Sequence, residues 1–83
     1  MVIDIPGAST DNSVAMQLWG NGKGNHQQFY LQSVSDGTYA FLTKISNKAK
    51  GLDVASHSLN EGAAIIQYTY KGAANQRWKL EKV

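Results

Sequence analysis

An all-β fold built from short strands is predicted for this 83-residue chain, and three observations predict it. The sequence repeats itself at an offset of 49 residues with no gap. Its β-branched and aromatic residues come in short runs separated by clusters of Gly, Asn and Ser, as in GNGKGN and SHSLNEG. Asp36-Gly37 stands between two such runs, which is a strong short-range hairpin signal.

The repeat rests on several pairs at once. Placing Gln27 on Gln76 puts Phe29 on Trp78 and Leu31 on Leu80. The same offset puts Val2-Ile3-Asp4-Ile5 on Gly51-Leu52-Asp53-Val54, Met16 on Ile65 and Trp19 on Tyr68. Hydrophobic-Asp-hydrophobic, then Met/Ile-x-x-aromatic, then Gln-x-aromatic-x-Leu recur in one order.

The elements follow from this pattern. Gln28–Val34 and Tyr39–Ile45 flank the Asp36-Gly37 turn and are rich in β-formers, the second alternating imperfectly. Further strands are expected at Leu52–Val54, Ala64–Tyr68 and Arg77–Glu81. A short helix over Glu61–Tyr68 is the alternative for one of them. Gly62, the β-branched pair Ile65-Ile66 and the following Tyr68-Thr69-Tyr70 argue against it.

Composition narrows the function classes. A chain of this length holds one domain at most and buries a modest core. With no cysteine, disulfides and thiolate metal sites are excluded. His26 and His57 have no metal-ligand spacing partner, so no cofactor is expected. The net charge of +2 points weakly to any partner. Lys44, Lys48 and Lys50 read as a solvated loop rather than a nucleic-acid patch. No apolar run reaches the roughly 20 residues needed to span a bilayer, and MVIDIPGAST lacks the basic and apolar regions of a signal peptide. GNGKGN, Gly20 to Asn25, lacks the Gly-Lys-Ser/Thr ending of a phosphate loop. Asp4 and Asp53 fall in different repeats and form no catalytic pair, so the chain is not expected to be an enzyme.

The order LDV…IIQY…NQRWKL resembles the ricin-B-like (R-type) lectin repeat, the unit of β-trefoil carbohydrate-binding modules, and the resemblance covers essentially the whole chain. It implies a three-lobed trefoil with four strands per lobe, two in a shared barrel and two in a capping hairpin. On that plan residues 1–36 are a partial first repeat, entered at Val2 within its second strand. Residues 37–83 are a complete second repeat, and a third is missing. The chain would then supply three of six barrel strands, Gln28–Val34, Thr38–Ile45 and Arg77–Glu81. The barrel would be completed by a second chain or by missing parent sequence. A homodimer would be built around Phe41, Leu31, Leu80 and Trp78.

The resemblance also implies sites, one per repeat. In the second, Asp53 would accept hydrogen bonds from adjacent sugar hydroxyls, Tyr68 would stack on a pyranose face, and Asn75 would donate and accept. In the first, Asp4, Gln17 and Trp19 match, while His26 stands at the amide position. Gln27 and Gln76 complete the set, with a role expected mainly in satisfying buried backbone groups. Trp78 and Phe29 are expected as core residues. Ile66 replaces the extra polar position filled by Gln17, so the second site is expected to be the weaker, with His57 and Gln67 at its rim. The implied ligands are mono- or oligosaccharides of galactose or xylose type, and the implied location is extracellular. The alternative function is a structural or protein-interaction trefoil segment without sugar binding.

Overall fold

The computed structural model describes residues 1–35 and 37–80. Eight strands follow one another: β1 (Val2–Asp4), β2 (Val14–Ala15), β3 (Gln17–Trp19), β4 (Phe29–Ser33), β5 (Thr38–Thr43), β6 (Lys50–Val54), β7 (Ile65–Thr69) and β8 (Trp78–Lys79). Short 3-10 turns occupy Pro6–Ala8, Asn25–Gln27, Ala55–His57 and Ala74–Gln76. They fall in pairs related by the 49-residue offset, and their backbones agree in detail. Gly7 and Ala8 take φ of 63° and 53°, and their counterparts Ser56 and His57 take 56° and 53°.

The predicted hairpin is formed by β4 and β5, antiparallel from Phe29↔Thr43 to Ser33↔Tyr39. Asp36 lies outside the described residues. Gly37 has φ 77°, a conformation glycine adopts without steric cost, and Thr38 N–H closes the turn on Ser35 O at 2.7 Å. β5 ends two residues before the expected Ile45. There Thr43 Oγ1 meets Ser46 Oγ at 2.6 Å, and Ser46 Oγ accepts from Lys50 N–H at 3.0 Å. That hydroxyl relay turns the chain into β6. β6 and β7 pair from Lys50↔Thr69 to Val54↔Ile65, so the Glu61–Tyr68 stretch holds a strand and not a helix. The expected strand at Arg77–Glu81 is represented by β8; Glu81 lies outside the described residues.

β5 lies between β4 on one side and β8 on the other, with Tyr39 opposite both Ser33 and Trp78. These are the three barrel strands expected, and among the described residues the sheet does not close. β1 and β3 form a separate hairpin with Asp4 opposite Gln17. The intervening β2 crosses to the other repeat and pairs with β7.

Few apolar side chains are fully enclosed: Ile5, Ala40, Leu42 and Leu52. Asp4, Thr43, Asp53, Gln67 and Gln76 are as deeply buried, so a hydrogen-bonded network carries much of the interior. Trp78 and Phe29 correct the expectation of core burial, since both are only half-buried. Trp78 Nε1 does donate to Leu52 O at 3.3 Å. Its ring, with Phe29, Phe41 and Ile65, lines an apolar hollow of about 480 Å³ on the open side of the sheet. Val2 and Ile3 of β1 border the same hollow. Leu31, opposite Phe41 in the hairpin, and Leu80 are each more than half exposed.

Gln67 corrects a second expectation. It is not at a rim but wholly buried, and it acts as a staple between repeats. Its amide donates to Ser9 O at 2.9 Å and Asp11 O at 3.0 Å, and its carbonyl accepts from Thr43 Oγ1 at 2.8 Å.

Candidate functional site

Each repeat builds the same scaffold around one buried aspartate. In the second, Gln76 Nε2 donates to Asp53 Oδ2 at 2.9 Å and to Thr69 O at 2.8 Å, while Gln76 Oε1 accepts from Lys71 N–H at 2.8 Å. In the first, Gln27 Nε2 donates to Asp4 Oδ2 at 2.7 Å and to Gly20 O at 2.9 Å, while Gln27 Oε1 accepts from Gly22 N–H at 2.8 Å. Every partner is related by the offset of 49. The two glutamines therefore orient a carboxylate and tie down a loop. Their polar atoms are taken up within the protein, Gln76 being only 2% exposed.

The two aspartates differ in what else they bind. Gln17 stands across from Asp4 and donates to its Oδ1 at 2.9 Å. His26 Nε2 lies 3.2 Å from Oδ2. Gln17, expected to lend an extra contact to a ligand, thus has its amide bound to Asp4. The Gln17 amide is the main cause holding the Asp4 carboxyl below its ordinary value; burial opposes it, and Gln27 and His26 add to it. Opposite Asp53 stands Ile66, which offers no donor. Asp53 instead receives Asn75 Nδ2 at 3.1 Å on Oδ1. A carboxylate has about four acceptor positions; each aspartate accepts two side-chain hydrogen bonds, but Asp4 also has His26 against Oδ2, so Asp53 is the less crowded.

Asn75 is held at both of its amide hydrogens, the second going to Val54 O at 3.0 Å. Its Oδ1 is buried and has no protein partner. Asn75 consequently positions Asp53 and keeps one buried acceptor without a protein partner. Around these groups lies a concavity of about 590 Å³ that also takes in Tyr68, Ser56, His57, Lys71 and Ser13. The structure brings Asp53, Tyr68, Asn75 and His57 together around this one concavity. Lys71 and Ser13 were not anticipated. The counterpart of Lys71 is Gly22, so the repeat gave no hint of a cation there, and Ser13 reaches the site from the other repeat beside the β2–β7 pairing. In the first repeat Trp19 stands 59% exposed, opposite Val2 in the β1–β3 pair.

A carboxylate at the base and an aromatic ring at the wall form a polar-aromatic hollow within a duplicated lobe. The ricin-type beta-trefoil lectin domain-like family matches residues 1–68. The chain belongs to this family. Among solved structures, the chain is similar to ThreeFoil, a designed 3-fold symmetric protein, at TM-score 0.91 and 33% identity over 98% of this chain and 56% of that one. It is also similar to 1,3Gal43A, an exo-beta-1,3-galactanase from Clostridium thermocellum, at TM-score 0.90 and 32% identity over 98% of this chain and 17% of that one. The chain thus spans just over half the length of the design and less than a fifth of the galactanase. No curated protein matches it. Its lobes are β-trefoil lobes, and its fold is one associated with carbohydrate binding.

Proposed function

We propose that this chain is a non-catalytic carbohydrate-binding module or lectin, working outside the cell, whose principal site is the concavity of the second ricin-type repeat. The observation that carries this reading is the state of Asp53: buried, oriented by Asn75 and Gln76, and still holding free acceptor positions beside Tyr68. A pyranose presents C–H groups on one face and hydroxyls around its edge. Tyr68 suits the first and Asp53 the second, charged acceptors making the stronger bonds. Galactose-type sugars are the favoured class, which the likeness to a galactanase supports; xylose-type sugars are the next to try. The first repeat contributes less, because Asp4 is largely occupied by the protein's own side chains.

The alternative, a structural or protein-interaction segment, draws its support from that same occupation of Asp4. Titration with methyl β-galactopyranoside and methyl β-xylopyranoside separates the two. Binding of about −4 to −6 kcal/mol is expected, millimolar to high micromolar, and Tyr68→Ala should abolish it at the second repeat with little loss of stability. An unchanged titration in that variant removes Tyr68 from the site. In the same reading the open half-barrel is completed either by a second copy or by further lobes of a parent polypeptide.

A further inference from the structure

The two repeats share the aspartate, the glutamine and an aromatic wall, but they differ in charge at the mouth. The second-repeat concavity is lined by Lys71 and His57. At the corresponding positions the first repeat has Gly22 and Ala8. The second site therefore carries an ammonium at a position where the first has none, the first having His26 against its aspartate instead.

Lys71 is placed as a reader and not as a structural ion-pair member. Its backbone N–H is fixed on Gln76 Oε1, which anchors its Cα at the rim. Its ammonium lies over the Tyr68 ring at 5.9 Å from the centroid, the outer limit of a cation–π contact. Among the described residues, the acid–base contact within 4.0 Å is His26 with Asp4; Lys71 and Asp53 do not pair, although both line the one concavity. The site is thus bipolar, with an acceptor of hydroxyls at its base and a weakly held ammonium over its platform. A sugar stacked on that ring face takes the ammonium's place over Tyr68 and leaves it at the sugar's edge. A neutral sugar edge leaves the ammonium with only water, whereas an anionic substituent turned away from Asp53 meets it directly. His57, exposed at the same rim, adds an N–H donor.

We propose that the second-repeat site selects acidic pyranosides, those bearing a carboxylate or sulfate, and that Lys71 is the residue that reads the anion. This rests on the carbohydrate-binding reading above. A charge-assisted hydrogen bond at such a rim should tighten binding about tenfold, and the gain should shrink as salt screens it.

The test is an NMR titration of the full chain with methyl β-galactopyranoside, its C6-carboxylate analogue and its 6-sulfate. The amides of Lys71 and Asn75 report the second repeat, and those of Gly22 and Gln27 the first. The expected result is about tenfold tighter binding of either acidic sugar at the second repeat only. Lys71→Met should bring that ratio to about one, and Lys71→Arg should restore it. Equal affinity for neutral and acidic sugars, or a ratio that survives Lys71→Met, overturns the selectivity while leaving carbohydrate binding intact. No response to any of the three overturns both.

Discussion

Replacing Gln76 by leucine removes the hub of the second repeat while keeping a side chain of similar bulk. Three good hydrogen bonds are lost: those to Asp53 Oδ2 and Thr69 O, and the one from Lys71 N–H. The bond to the charged carboxylate is worth about 1.5–3 kcal/mol and each neutral one about 1 kcal/mol. Because Gln76 and Asp53 are buried, water cannot readily replace them, and a loss of about 3–5 kcal/mol is expected. The control is already in the chain. Gln27→Leu breaks the same three bonds in the first repeat, but Gln27 is only half-buried and Asp4 keeps Gln17 and His26. Its cost should be about 1–2 kcal/mol. Urea unfolding followed by far-ultraviolet circular dichroism measures both, at one fixed protein concentration because any assembly would shift the midpoint. If the two variants cost the same, or if Gln76→Leu costs less than about 1.5 kcal/mol, burial of the hub is not what gives it its weight.

Asp4 titrates below its ordinary value in the folded chain, so the unfolded state binds its proton first as pH falls. Its contribution to stability is therefore present above about pH 4 and lost on acidification through the lower folded value; the decline in urea midpoint below pH 4 should be shallower in Asp4→Asn than in the parent. Gly51→Ala would place a Cβ 3.0 Å from Phe41 O and 3.3 Å from Leu42 Cδ2, a tight approach to a backbone oxygen expected to cost about 1–3 kcal/mol in urea unfolding. Trp78 faces an open hollow, so its emission should shift to shorter wavelength as protein concentration rises and assembly covers it, in step with the mass seen by sedimentation. A folded monomer at low micromolar concentration, with Trp78 emission unchanged by dilution, would refute the need for a cover.

Most of the strand plan was legible because it is written twice. Asp4 with Asp53 and Gln27 with Gln76 gave the period, and the period placed β4, β6, β7 and β8 to within two residues. What the repeat could not convey is what each copy does alone. Gln67 has Leu18 as its counterpart, so nothing in the first repeat announces a buried staple reaching Ser9 and Asp11. Lys71 is hidden in the same way behind Gly22. Asn75 and His26 were recognised as site positions, but only coordinates show that Asn75 spends both amide hydrogens on Asp53 and Val54. The half-burial of Trp78 has another origin: a lobe's motif marks where a shared core will be, not how many lobes are there to share it.

The pairing of the barrel strands has a consequence for how the half-barrel can be finished. β4 and β8 are repeat counterparts, Phe29 matching Trp78, and both pair with β5. If β4 and β8 are called acceptor strands and β5, which takes one on each flank, the donor strand, the order across the half-barrel is acceptor, donor, acceptor, and the only donor strand among the described residues already has both flanks engaged. Bringing up a second copy supplies two more acceptors and another engaged donor. A two-chain barrel would have the right number of strands, yet each seam would join like to like, a pairing that does not occur among the described residues. A polypeptide offering two free strands of the Thr38–Thr43 kind would instead continue the alternation all the way round. Parity of strand type, more than area of apolar surface, sets which closure reproduces the lobe's own pairing.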